Sequence, residues 1–214
     1  IAAKVGVVRT AARSKLAMEI AGSAPRVEPG PARAPKAASS ASFTAPGASG
    51  GGERFPIVVV AASTGGPATL MKFVPQFPQN FPGAVLVVQH MPGTFTSQFA
   101  QQLAEIASIR VKEAEPGEIV RPGTLYLCPG SHHLRLTQTG RITLDDGPRI
   151  SGYRPCADVT LETAAAFAGP MTTGVILTGM GSDGARGAPA VKTAGGHVIV
   201  QDEATSVIFG MPAE

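Results

Sequence analysis

Two runs, IVVVAA over 57–62 and AVLVVQ over 84–89, are apolar without alternation until the closing Gln89. A strand apolar on both faces has to be covered on both, which the interior of a helix-flanked parallel sheet provides. From Phe55 onward, such runs alternate with helix-length segments, the pattern of a doubly wound α/β sheet. Pro67 to Val74 predicts a short helix, with Pro67 in the first turn where its missing N–H is not needed. Thr94 to Ala107 predicts a longer one whose buried face carries Phe95, Phe99, Leu103 and Ile106. TLYLC (124–128), HLRLT (133–137) and RITLD (141–145), punctuated by PGS and QTG, predict an antiparallel hairpin at the sheet edge. A helix from Asp158 to about Ala168, the strand TGVILT, a helix from about Ala185 to Ala194 and the strand HVIVQ complete the expected order. The fold class is therefore α/β, a doubly wound and mostly parallel sheet with an antiparallel edge hairpin.

Charge divides the chain. Residues 1–52 hold 7 Lys and Arg against 2 Glu, and residues 53–214 hold 11 against 13 acidic groups, so the overall basicity belongs to the N-terminal part. Residues 23–54, dense in Pro, Ala, Ser and Gly, bury too little apolar area to offset their ordering entropy and are expected to be a flexible linker. Ahead of them, VGVVRTAARSKLAMEIA has an amphipathic helical pattern with basic residues, and within 1–22 it reads as a solvated helix ending a neighbouring domain. Neither aromatic interleaving nor a long basic run points to nucleic acid. No apolar run approaches the length of a membrane span and no signal-peptide pattern occurs, so a cytoplasmic location without membrane insertion is expected. Cys128 and Cys156 lack metal-ligand spacing and indicate neither a zinc site nor a disulfide scaffold. The start at Ile1 and the stop just after FGMP suggest a fragment at both ends.

The chemistry concentrates where apolar runs end. Ser63 follows the first run, His90 the second, and Asp183 lies in TGMGSDG after GVILT. In an open parallel sheet these ends share one edge, where functional groups gather, so a serine, a histidine and an aspartate meet and a serine hydrolase is expected. Ser63 would sit on a strand-to-helix turn whose unpaired backbone N–H groups face a developing oxyanion. Read alone, ASTGG is equally a Gly-rich phosphate loop, but neither G-x-G-x-x-G nor a Walker lysine accompanies it. His90 is preferred over His132 and His133, which enter the hairpin, and over His197, which begins a strand and so occupies the opposite edge. Asp183 would fix the imidazole tautomer; alone it is also a good N-cap for the following helix. Cys156 is expected to be a small core or turn residue, and Gln98, Gln101 and Gln102 to mark a solvated helix face. A nucleotide-binding module and a non-catalytic docking domain stay open as alternatives.

Five stretches in order, ASTGGP (62–67), VVQHMPGTFTSQFAQQL (87–103), LYLCPGSHHLRL (125–136), YRPCADV (153–159) and GVILTGMGSDGARGAPAVKTAGGHVIVQDEATSVIFGMP (174–212), closely resemble the catalytic domain of the chemotaxis receptor methylesterase family, CheB. The resemblance covers 55–214 and implies hydrolysis of γ-glutamyl methyl esters on cytoplasmic chemoreceptor helices, with deamidation of receptor glutamines in many members. It implies Ser63 as nucleophile, His90 as base, Asp183 as orienting carboxylate, and Thr64 and the Met180 amide at the active site and oxyanion pocket. No metal or cofactor is implied. It also implies regulation by a receiver domain, phosphorylated by the chemotaxis histidine kinase, of which residues 1–22 would be the last helix. Tyr153 and Cys156 depart from the family's H-R-P-S-V-D pattern, and the helix expected after F-G-M-P is missing.

Overall fold

In the computed structural model, which describes residues 54–214, the two uninterrupted apolar runs lie side by side within a six-stranded parallel sheet. In chain order the elements are β1 (Ile57–Ala62), α1 (Gly66–Phe73), β2 (Ala84–Gln89), α2 (Gly93–Ile106), β3 (Arg110–Glu113), β4 (Thr124–Leu127), β5 (His133–Leu136), β6 (Ile142–Asp145), α3 (Ala157–Ala168), β7 (Thr172–Ile176), α4 (Gly187–Thr193) and β8 (His197–Val200). The sheet runs β3-β4-β2-β1-β7-β8, and every neighbouring pair is parallel. The expectations for 1–22 and for the linker over 23–54 lie, Arg54 apart, outside the described residues. Among the described residues no helix is long and apolar enough to cross a membrane.

Both faces of β1 and β2 are used. Ile57, Val59, Ala61, Leu86 and Val88 pack on one side with Leu161 of α3 and Val191 of α4. Val60, Ala62, Val85 and Val87 pack on the other with Leu70 of α1 and Phe99 and Leu103 of α2. Each Val, Ile or Leu side chain fully removed from water contributes on the order of 1.5–3 kcal/mol, which explains why these runs tolerate no polar residue before Gln89. Because α1 leaves β1 toward one face and α4 leaves the adjacent β7 toward the other, the chain parts there and opens a crevice beyond the carboxyl ends of the strands.

Three details differ from the sequence expectation. The antiparallel hairpin forms, but as a separate two-stranded sheet of β5 and β6, held to α3 by Leu134, Leu136 and Ile142 and by the Thr160 hydroxyl donating to the Leu134 carbonyl at 2.7 Å. TLYL is instead a parallel strand of the main sheet, between β2 and β3. The buried stripe of α2 is Thr96, Phe99, Ala100 and Leu103, spaced i, i+3, i+4, i+7, while Phe95 and Ile106 are 55% and 38% exposed. Polar Thr96 can occupy that stripe because its hydroxyl finds Gly93 O and Glu113.

Candidate active site

The β1–β2 register pairs Ala62 with Gln89, so Ser63 and His90 leave the sheet at the same level, and the His90 N–H donates to Ala62 O at 3.0 Å. On the other side the Ser63 N–H donates to Thr178 O at 3.0 Å, which brings the loop after β7 alongside. The turn from β1 into α1 needs Gly65 at φ 82°, in the left-handed region, where a side chain would also strike Val207. This tight turn leaves the N–H groups of Thr64 and Gly65 without partners among the described residues, and the same holds for Met180 N–H. Met180 itself is 70% exposed.

Asp183 lies at the end of that β7 loop, with a fully buried side chain. Its Oδ2 is 2.7 Å from His90 Nε2 and accepts the Ala157 N–H at 2.7 Å. Its Oδ1 accepts from the Asp158 N–H at 3.0 Å and the Cys156 thiol at 3.2 Å. Burial alone would raise this carboxyl, but the hydrogen bonds from His90, Ala157 and Asp158 outweigh it and hold the group below the ordinary carboxylate value. An ionised Asp183 requires the proton on His90 Nε2, so in the neutral imidazole Nδ1 is the free acceptor. The hydrogen bonds of the described residues include none from Ser63 Oγ. The structure thus joins His90 to Asp183 directly and brings Ser63 to the neighbouring strand end without that contact.

The aspartate is a cap, though not for the helix that follows it. It caps α3, while Asp158 in the first turn of α3 accepts from the N–H groups of Gly184, Arg186 and Gly187 and so caps α4. This exchange locks the two helix starts together and fixes the Asp183 loop. Cys156, Asp158 and Asp183 place one ligand atom each within 4.8 Å of one another, as a metal site would. Those carboxylates are already engaged by five backbone N–H groups, the thiol and His90, so the cluster is accounted for by capping. Burial, reinforced by the Asp183 charge, pushes the Cys156 thiol up to about 12, so it is no thiolate nucleophile at neutral pH.

The other histidines are elsewhere. His133 is buried in β5 with Nε2 against Pro148 O, His132 pairs with Ser131, and His197 starts β8 at the amino-terminal edge. Gln98, Gln101 and Gln102 are exposed, as expected.

The contacts of two neighbours are not read from the sequence, although Tyr153 is marked there as a departure from the family pattern. Gln89, 1% exposed, donates from Nε2 to both Ser63 O (2.9 Å) and His90 O (3.0 Å), tying the two strand ends together. Its Oε1 is buried, without a partner among the described residues, against Gly66, where no Cβ would fit. The only signal was a lone amide closing an apolar strand. Tyr153 stacks on the His90 ring, centroids 4.8 Å apart and planes 15° off parallel, a contact with no local sequence signature.

Residues 58–214 match the family described as CheB methylesterase. The protein-glutamate methylesterase/protein-glutamine glutaminase of Pyrococcus abyssi is 49% identical over 158 residues, 72% of this chain and 43% of that protein. Protein-glutamate methylesterase/protein-glutamine glutaminase 1 of Anaeromyxobacter dehalogenans is 42% identical over 222 residues, 98% of this chain and 58% of that protein. The chain thus spans about half the length of these curated relatives. The crystal structure of the Thermotoga maritima CheB methylesterase catalytic domain, 48% identical, aligns with a TM-score of 0.71 over 74% of this chain and 85% of that one. Sequence, sheet and crevice agree: the chain belongs to the CheB methylesterase family.

Proposed function

We propose that this chain is a protein-glutamate methylesterase that also deamidates glutamines, acting on the cytoplasmic domains of chemoreceptors through Ser63, His90 and Asp183. The observation that carries the reading is the bond at 2.7 Å between His90 Nε2 and Oδ2 of the buried Asp183, which leaves His90 Nδ1 to serve the strand end bearing Ser63. Ser63 Oγ attacks the ester carbonyl carbon as its proton passes to His90 Nδ1. The oxyanion is received by the unspent N–H groups beside Thr64 and at Met180. His90 then protonates the leaving oxygen, the C–O bond to methanol breaks, and a water activated by the same imidazole hydrolyses the acyl-serine, freeing the glutamate and Ser63. A glutamine substrate differs only in releasing ammonia. The reading includes control by a receiver phosphorylated by the chemotaxis histidine kinase, as the motif resemblance implies.

The purified chain is expected to release methanol from a methylated chemoreceptor cytoplasmic domain, and ammonia from a glutamine-bearing one. Failure to release methanol above the enzyme-free rate overturns the assignment. Gln89→Leu removes both bonds that tie the Ser63 and His90 loops. It should lower kcat about 10- to 100-fold with KM within about twofold, because small displacements of reacting groups are costly.

A further inference from the structure

A single hydrogen bond to Asp183 fixes one point of the His90 ring but leaves it free to swivel about that bond. Aiming Nδ1 requires a plane as well. Tyr153 supplies one: its ring lies 4.8 Å from the imidazole at 15°. The same side chain reaches the loop that carries the aspartate, since the Ser182 N–H donates to Tyr153 Oη at 3.2 Å. Gly181, at φ 94°, lets that hydroxyl approach, because a Cβ there would overlap it. Ring and carboxylate loop are therefore both referenced to one side chain on the segment leading into α3.

We infer that Tyr153 is a positioning residue that orients the His90 imidazole through its ring face and holds the Asp183 loop through its hydroxyl. It touches neither Ser63 nor substrate in this role, which rests on the assignment of Ser63 and His90 made above. The ring carries the larger share, because the hydroxyl accepts one exposed backbone N–H of a loop that Asp183 and Asp158 already anchor.

The test uses a fluorophosphonate probe, which needs an activated serine but no receptor. Ser63 Oγ attacks phosphorus, its proton goes to His90, fluoride leaves, and the labelled serine is counted by mass spectrometry. Tyr153→Leu is expected to slow labelling of Ser63 about 10- to 100-fold and to lower kcat for methanol release equally, with KM within about twofold. Tyr153→Phe, which keeps the ring, should stay within about threefold of the unaltered chain. Wild-type labelling by Tyr153→Leu overturns the inference, and so does a Tyr153→Phe defect as deep as that of the Leu variant. If Tyr153→Leu does not fold, Tyr153→Met, which fills space without a plane, takes its place under the same criterion. Labelling of Ser63 without methanol release overturns the methylesterase reading and leaves this inference to the variants. Neither labelling nor methanol release by the unaltered chain overturns both. Methanol release without labelling leaves the kcat of the Leu and Phe variants to decide this inference by the same criteria.

Discussion

Ser63→Ala is expected to lower methanol release on the order of 10⁵-fold while leaving unfolding in urea almost unchanged. Loss of a serine nucleophile removes the covalent route altogether, and what survives comes from oxyanion stabilisation and binding. The structural part of the prediction follows from the division of labour within the residue. Ser63 holds the crevice through its backbone: its N–H donates to Thr178 O, and its carbonyl accepts from Gly66 N–H and Gln89 Nε2. Among the described residues its Oγ makes no hydrogen bond. Deleting it should shift stability by no more than about 0.5 kcal/mol, as for an unengaged surface group. Activity within tenfold of the unaltered chain would show that Ser63 is not the nucleophile. A large loss of stability would show that the variant reports on folding instead of chemistry.

How far the fold can be read from the chain depends on whether the deciding contacts are local. β1, β2 and β7 stand out because their apolar content is the direct consequence of burial between helices, and residues at their ends lie at the carboxyl edge. β8 is read from its apolar run alone, since it is an edge strand with Ile199 and Val200 40% and 52% exposed. β3 is invisible for the converse reason: RVKE is an edge strand, paired on one side only and charged as exposed edges are. TLYL followed by two turn-separated strands has the short-range signature of a meander. Only long-range pairing with β2 and β3 tells that it belongs to the main sheet. The stripe of α2 was shifted because Phe95 satisfies the helical period as well as Thr96 does, and what selects Thr96 is Glu113, on a later strand.

The site divides the same way. The nearness of the Ser63 and His90 strand ends is legible by position, since register alone delivers them to one level, and their roles belong to the proposal. What Asp183 caps is not, because the favoured local reading, a cap on its own helix, loses to an exchange in which Asp158 caps α4 and Asp183 caps α3. Tyr153 and Gln89 act on His90 and Ser63 across the crevice and leave no periodic trace.

Asp183→Asn should therefore damage catalysis and folding together, in separable amounts. An amide presents an NH₂ group to donors that now meet two acceptor oxygens: at the Oδ2 position it strands His90 Nε2–H together with the Ala157 N–H, and at the Oδ1 position the Asp158 N–H together with the Cys156 thiol. Loss of the tautomer lock is expected to cost about 10³- to 10⁴-fold in kcat. Leaving buried donors unpaired at a helix cap is expected to cost about 2–4 kcal/mol in urea unfolding. The pH dependence separates the charge from the shape. The folded carboxyl is held below its unfolded value, so the stabilisation it supplies is present above the ordinary carboxylate range and lost as pH falls through the folded pKa. Unfolding free energies of the unaltered chain and the Asn variant should hence differ most near neutrality and converge below about pH 4, as the unaltered chain takes up its proton. A constant difference across that range would mean that Asp183 stabilises through packing alone, and its ionised pairing with His90 would have to be abandoned.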